Sequence, residues 1–299
     1  MVLTVDVQVE GVHFRRNWLT RHEIGERAVA TSVSDLAAMA AHPVGLLVSL
    51  VLDPGSSERD FKDLHLGIRK AARRYGLRIL GGNLSEGPFS ITVTAVGEER
   101  AERLLWRSGA RLGDEIWVTG TPGLARLGLV CLERRLAGSS LKRLPALVVQ
   151  GVRAFKLPVA RVKEAIHLRQ SFHPTALIDL SDGLGTDLRH VLAESTRRSG
   201  RPLGALLEEA AFLRMRKLLG LATLLGMAVT RTALKGGEDY ELCLTAPPGP
   251  FQARKAHAFK AKFKVPLSRI GWIVDEPGIW LRTETGSRRE VTEHGWEHF

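Results

Sequence analysis

Cysteine is almost absent from this 299-residue chain: Cys131 and Cys243 stand far apart and outside any Cys-x-x-Cys. That scarcity argues against a disulfide framework and a cysteine-based zinc site. Neither a GxxxxGK[ST] loop nor an HRD-with-DFG set occurs, which excludes a P-loop enzyme and a protein kinase. Apolar runs are short; VGLLVSLVL and LGLATLLGMAV both fall below the length of a bilayer span. The opening MVLTVDVQVE carries acids and no basic n-region, so no secretory signal is read, and a cytoplasmic protein without a membrane partner is expected. Low-complexity tracts and short-period repeats are missing as well.

What remains is a globular composition, 44% hydrophobic and 25% charged, with a net charge of +11. The length suggests two domains. Such a charge would suit polyanionic substrates or a nucleic acid. The cations are scattered, however, through RKAARRYGLR, LERRL, RMRK and GSRRE, with no aromatic-interleaved basic motif. They read as solvated helix faces, and no nucleic-acid partner is expected.

Periodicity supplies the elements. Residues 2–9 alternate, with Leu3, Val5, Val7 and Val9 on one face and Thr4, Asp6 and Gln8 on the other, which reads as a half-buried strand. A helix follows over about 23–41, then a buried strand PVGLLVSLVL, an amphipathic helix ending at Gly76, a short strand LRILGGN stopping at its double glycine, and an alternating strand FSITVTAVGE. The turn-rich RSGARLGDEIWVTGTPG places a domain boundary near residue 108, giving domains 1–108 and 109–299. Beyond it come a strand at 115–119, a helix from Gly123, the strand TALIDL, a helix from Gly183, the strand after GGEDYEL, a helix over 251–263 and the strand LSRIGWIV. Alternating strands and helices in both halves give an α/β class with α+β layers.

Acids recur at strand ends or beside small residues: Asp6, Asp35, Asp179, Asp182, and Glu238 with Asp239. Each alone reads first as a cap or a surface ion pair; Ser181 or Asp182 could cap the helix from Gly183. Together, in a basic protein, they point to a hard cation such as Mg²⁺, which takes oxygen ligands and shares them with substrate phosphates. GTPG at 120–123 follows a strand and opens a helix, so it is either a tight turn or a set of amides for an anion.

Six ordered motifs, VEGVHF, VSDLAAMAA, GDEIWVTGTPG, IDLSDGL, GGEDYEL and the closing GWEHF, resemble those of the thiamine-monophosphate kinase family, a relative of aminoimidazole ribonucleotide synthetase. The resemblance implies a two-domain fold of the synthetase type, with N-terminal strands joining those of a second subunit in a dimeric barrel. It implies ATP-dependent phosphorylation of thiamine monophosphate to thiamine diphosphate by direct in-line transfer with several Mg²⁺ ions. It places Asp6, Asp35, Asn83, Asp179 and Asp182 on metal ligands, and Gly82, Asn83, Arg107 and Ser181 on ATP contacts. His13, Glu238 and Trp296 fall on the thiamine-phosphate site. No protein nucleophile is implied, since positioning and charge neutralisation suffice for this chemistry.

The sequence departs from the family pattern in three places. The family's N-terminal Gly-Asp-Asp segment, which supplies metal ligands, does not precede Asp6; Asn83 stands where an aspartate is usual; and Val5 replaces a threonine. These departures lead to an alternative expectation, a nucleotide- or thiamine-diphosphate-binding member impaired in catalysis.

Overall fold

The computed structural model describes residues 1–136, 145–250 and 252–292, so Trp296 and the GWEHF motif lie outside the described residues. Two compact units are formed, Met1–Leu104 with Lys156–Lys163, and Leu105–Phe155 with the described residues from Glu164 onward. The stretch 156–163 is tied into the first unit by a Lys156–Glu23 ion pair (2.7 Å) and by the Ala160 N–H, which donates to the Tyr75 hydroxyl at 3.0 Å.

The first unit comprises β1 (Val2–Val9), α1 (Arg21–Ala38), β2 (His42–Leu52), α2 (Glu58–Tyr75), β3 (Arg78–Glu86) and β4 (Ser90–Glu98). Its four strands are ordered β1-β4-β2-β3; β4 is antiparallel to both neighbours and β2 runs parallel to β3. A parallel pair needs a crossover, which α2 supplies. Both helices open on reciprocal capping boxes, Thr20 with Glu23 and Ser57 with Asp60, and α2 stops at Gly76 in the left-handed region.

Two features differ from the sequence reading. The apolar row of β1 is the uncovered one: Leu3, Val5 and Val7 are 64, 63 and 45% exposed. Thr4 and Gln8 instead face α1, where the Thr4 hydroxyl donates to Asp35 and the fully buried Arg27 donates from Nε to Gln8 Oε1 at 3.2 Å. The reason lies in α1, whose face toward the strand is itself polar, so the strand's polar side is the complementary one. The second difference is β3, which does not stop at Gly81–Gly82 but runs on to Glu86, with a register shift beside Leu80. A Cβ on Gly82 would lie 1.8 Å from the Val48 carbonyl oxygen, so this glycine admits close approach of β2 rather than ending the strand.

The second unit is built on a seven-stranded sheet ordered β11-β10-β7-β9-β5-β8-β6. Its strands are β5 (Glu115–Thr119), β6 (Ala176–Asp179), β7 (Gly204–Glu208), β8 (Leu242–Ala246), β9 (Leu267–Val274), β10 (Gly278–Arg282) and β11 (Arg288–Glu290). Among the described residues of this sheet only the β10–β7 pair is parallel. The helices are α3 (Leu124–Glu133), α4 (Ala146–Lys156), α5 (Val162–Ser171), α6 (Leu184–Ser199), α7 (Glu209–Leu213), α8 (Arg216–Leu225), α9 (Val229–Lys235) and α10 (Gln252–Phe263). Val118 and Ile178 both pair with Cys243, which brings the C-terminal ends of β5 and β6 and the start of β8 to one end of the sheet. Helices α3 and α6 begin at that end. Among the described residues no single helix is long and apolar enough to cross a membrane, and the apolar pair α8–α9 turns by 107°.

Candidate functional site

In the first unit, Thr4, Asp6 and Gln8 share one face of β1, and Asp35 lies against Thr4 from α1. Burial pushes the Asp35 carboxyl above its ordinary range, while the Thr4 hydroxyl works in the opposite direction. A side-chain hydroxyl thus stands beside this acid, though it comes from Thr4 and not from the position that Val5 fills. His13 sits in the turn after β1, and its Nδ1 accepts the Val9 N–H at 3.1 Å, which places the proton of a neutral ring on Nε2. The following Arg16 ties this turn down by ion pairs to Glu10 (2.6 Å) and Asp53 (2.9 Å).

Strand β3 carries Gly82 and Asn83 to opposite faces. Asn83 donates from Nδ2 to Ser85 Oγ at 2.9 Å. A cavity of about 350 Å³ opens between β2–β3 and α2, lined by Val48, Leu50, Phe61, His65, Gly82 and Asn83 among others. Phe61 and His65, one helical turn apart, stack with ring centroids 5.9 Å apart and planes at 16°. Sequence reasoning missed these two rings; their i, i+4 spacing on an amphipathic helix was the available signal.

In the second unit, Asp179 ends β6 and is buried, and Ser181 and Asp182 follow in the loop to α6. The GGEDYEL segment is held against that loop by main chain: Glu238 N–H donates to Ser181 O (2.7 Å), Tyr240 N–H to Leu180 O (2.8 Å) and Leu180 N–H to Glu241 O (2.8 Å). Glu238 and Tyr240 both take positive φ, 70° and 50°, a conformation that residues with side chains hold only where surroundings impose it. The Tyr240 hydroxyl donates to Glu238 Oε2 at 2.9 Å, fixing that carboxylate. Ser181, Asp182 and Glu238 are therefore brought together.

Capping of α6 does not fall to Ser181 or Asp182. Gly183, at φ 106°, is the N-cap, and the carboxylate of Asp187 accepts the N–H groups of Asp182 (3.3 Å) and Gly183. Asp187 is buried, and burial followed by the charges of Asp179 and Asp182 raises its pKa well above the ordinary range. Two amides at the start of α3 are likewise occupied: Asp239 accepts from Gly123 N–H (2.5 Å), the last residue of GTPG, and from Ala125 N–H (3.0 Å). Burial, with Glu241 and Glu238 nearby, pushes Asp239 up to about 8 against the pull of those two amides. Neither Asp187 nor this use of Asp239 was read from the sequence; an aspartate four residues after Gly183, inside GLGTDL, was the signal for the first.

Among the described residues no hydrogen bond or ion pair joins Arg107 to Ser181 or Asp182. Its guanidinium lies 3.9 Å from Glu194, and its carbonyl receives the Ser195 hydroxyl at 3.4 Å. Glu194 is ten residues into α6, about 15 Å along the axis from its start. Among the described residues no three His, Cys, Asp or Glu side chains form a group that could hold a metal by themselves. The carboxylates of Asp6, Asp35, Asp179 and Asp182 offer oxygen, the donor type that Mg²⁺ takes together with water and phosphate.

Residues 1–98 match the family model for the N-terminal domain of AIR synthase related proteins. The chain is 34% identical over 307 residues to the thiamine-monophosphate kinase of Escherichia coli (strain K12), covering 100% of this chain and 86% of that protein. It is 32% identical over 300 residues to the enzyme of the same name from Buchnera aphidicola, covering 100% and 87%. Among solved structures, a thiamine-monophosphate kinase from Stenotrophomonas maltophilia superposes with a TM-score of 0.82 at 32% identity, covering 94% of this chain and 84% of that one. A structure described as AaThiL complexed with AMPPCP and TMP gives 0.82 at 28% identity over 99% and 86%.

Proposed function

Because the chain belongs to the thiamine-monophosphate kinase family, a family of phosphotransferases, we propose that it transfers the γ-phosphoryl group of ATP to thiamine monophosphate, yielding thiamine diphosphate and ADP. The observation that carries this reading is the main-chain lock between Leu180–Ser181 and Glu238–Glu241, which presents Ser181, Asp182 and Glu238 as one constellation. Both ligands named for the AaThiL complex, AMPPCP and TMP, agree with it.

In this reading Asp6 and Asp35, Asn83, and Asp179 with Asp182 hold Mg²⁺, which supplies charge neutralisation to the polyphosphate. Gly82, Asn83, Arg107 and Ser181 contact ATP, Arg107 by forking onto phosphate oxygens. The cavity beside Gly82 suits a flat base between Phe61–His65 and the aliphatic wall. His13, Glu238 and Trp296 bind thiamine monophosphate. Transfer is direct and in line, so no side chain becomes phosphorylated; the chain's own residues orient and hold the two substrates. Residues 1–108 take nucleotide, metal and self-association roles, and residues 109–299 carry Asp179, Ser181, Asp182, Glu238 and Trp296. The uncovered row Leu3, Val5 and Val7 favours a homodimer whose strands join in an intersubunit barrel. A cytoplasmic setting fits these substrates.

A second reading rests on Asn83, which offers an amide where the family has a charge: a member that binds nucleotide or thiamine diphosphate and turns over poorly. Chromatographic detection of thiamine diphosphate and ADP from the purified chain with ATP, Mg²⁺ and thiamine monophosphate decides. Substrate-dependent ADP formation supports the kinase, whereas a nucleotide-induced melting shift without turnover leaves the second reading.

A further inference from the structure

Helix α6 begins where the loop carrying Ser181 and Asp182 ends, and it reaches two further segments that are remote in sequence. Toward its C-terminal end the Ser195 hydroxyl receives the Ala110 N–H at 3.1 Å and donates to the Arg107 carbonyl at 3.4 Å. Nearer its start, the half-buried Arg189 reaches the far edge of the sheet: its Nη2 donates to the Val291 carbonyl at 2.6 Å, across 102 positions of sequence.

Val291 is the point at which the chain leaves the sheet. Its N–H continues the ladder by donating to the Ile279 carbonyl at 2.7 Å, and the residue is buried. The strand before it, β11, is a poor anchor by itself, because it is three residues long, exposed throughout and at the sheet edge. A charge-assisted bond from a guanidinium is a strong single tie for a carbonyl, and α6, packed against β10, is a rigid base for it. Trp296 follows five residues after Val291, a reach of at most about 18 Å. Arg189 itself lies about 7.5 Å along the axis from the first residue of α6. The exit of the tail is therefore tied to the helix that carries the Ser181–Asp182 loop.

We propose that Arg189 is a positioning residue for thiamine monophosphate: by holding the Val291 carbonyl on α6 it fixes the origin of the segment that carries Trp296, so that the affinity gained from that ring depends on it. The inference rests on the kinase reading and on the part given there to Trp296, and deepens both. An aromatic face attracts a cationic ring only where the two are held in register, and a loose origin loses part of that gain to ordering the segment. A merely structural tie would instead change folding stability and act on both substrates alike.

Calorimetric titration of thiamine monophosphate into the full chain, in a double-mutant cycle over Arg189→Met and Trp296→Ala, tests it. Arg189→Met keeps the aliphatic stem and removes the donors. It should weaken binding about tenfold, as should Trp296→Ala, the scale of one cation–aromatic contact. The double variant should bind within about threefold of Trp296→Ala alone, since without the ring the tie has nothing to place. Arg189→Lys, which keeps a donor and loses the fork, should lose about threefold. Binding of ADP with Mg²⁺ should stay within about twofold of wild type in every variant. Unchanged thiamine-monophosphate affinity in Arg189→Met overturns the proposal, as do losses that multiply in the double variant or a parallel loss of ADP. If Arg189→Met does not melt cooperatively, the cycle is run with Arg189→Lys; a Lys variant that loses nothing, or whose loss multiplies with that of Trp296→Ala, overturns it. Wild-type turnover measured alongside separates the two ideas. Binding of thiamine monophosphate without turnover sinks the kinase reading and leaves the cycle to decide this one, whereas a wild type that does not bind it sinks both.

Discussion

The two units hold their candidate residues by opposite means. The first offers room: a cavity walled by aliphatic residues and a stacked Phe61–His65 pair, and a strand whose apolar row faces outward. The second offers acids held without freedom, with Asp179 and Asp187 buried, Asp239 half-buried on two amides, and the loop after Asp179 fixed by main-chain hydrogen bonds to residues 238–241. Contact area gives affinity for flat groups, while fixed charge acts on the transferring phosphate. Substitutions in the two units should therefore split between binding and turnover.

The largest effect is expected at Asp182. Asp182→Ala should lower kcat by about 100-fold or more, the scale on which removal of a single preorganised electrostatic group is felt. Melting should hardly change or should rise, since one of the charges that raise the Asp187 pKa is gone. A kcat within a few-fold of wild type would remove the second unit's claim on the chemistry. His65→Ala, in contrast, should raise the KM for ATP by about tenfold with kcat unchanged, the value of one base–aromatic stack. A loss confined to kcat would break the comparison from the other side.

The outward row of the first unit supplies the next test. Val5→Asp puts a charge on a face that pairs only if a second copy covers it. Sedimentation should show a dimer in wild type and a monomer in the variant; an unchanged species would dismiss the intersubunit barrel.

These tests also mark what the sequence could and could not convey. The ends of α2, its capping box and the glycine after it were legible because those signals are local. So were β5, β6 and the start of α6, where apolar runs meet glycines. The facing of β1 was not: alternation assigns two faces and leaves open which is covered, and here the polar face of α1 decided it. The double glycine of β3 misled for a related reason, since a glycine demanded by a neighbouring strand looks the same in sequence as one demanded by a turn. Strands β7, β10 and β11 are five residues or fewer, too short for a period to register. Motif order singled out Asp35, Ser181, Asp182 and Glu238 as candidates, but the hydrogen bonds of Asp187 and Asp239 depend on which amides lie within reach, and that is a tertiary fact.

A smaller, pH-dependent effect separates the units again. Asp239 holds its proton up to about pH 8 in the folded protein, whereas in the unfolded chain it releases it near an ordinary carboxylate value. Between about pH 4 and pH 8 the folded state therefore carries a proton the unfolded state has lost, and stability falls as pH rises through that window. Below it both states are protonated and above it both are ionised, so the contribution is flat at either end. In denaturant titrations Asp239→Asn should flatten the decline across that window. An identical slope in wild type and variant would mean the carboxylate is ionised throughout and that its two amide bonds outweigh burial.

The smallest effect concerns Arg107 and its partner Glu194, 3.9 Å apart with the Arg side chain 54% exposed. A pair of that kind contributes at most about 1 kcal/mol, and often nothing measurable. Glu194→Gln should accordingly leave the melting temperature within about a degree. Its functional signature should be distinct: if Arg107 is recruited to nucleotide phosphates, freeing it from a competing carboxylate should lower the KM for ATP by about twofold with kcat unchanged, and Arg107→Lys, which loses the planar fork, should raise it. A Glu194 variant whose KM rises instead would mean that the carboxylate orients the guanidinium toward the nucleotide and does not restrain it, making the surface of α6 part of the site.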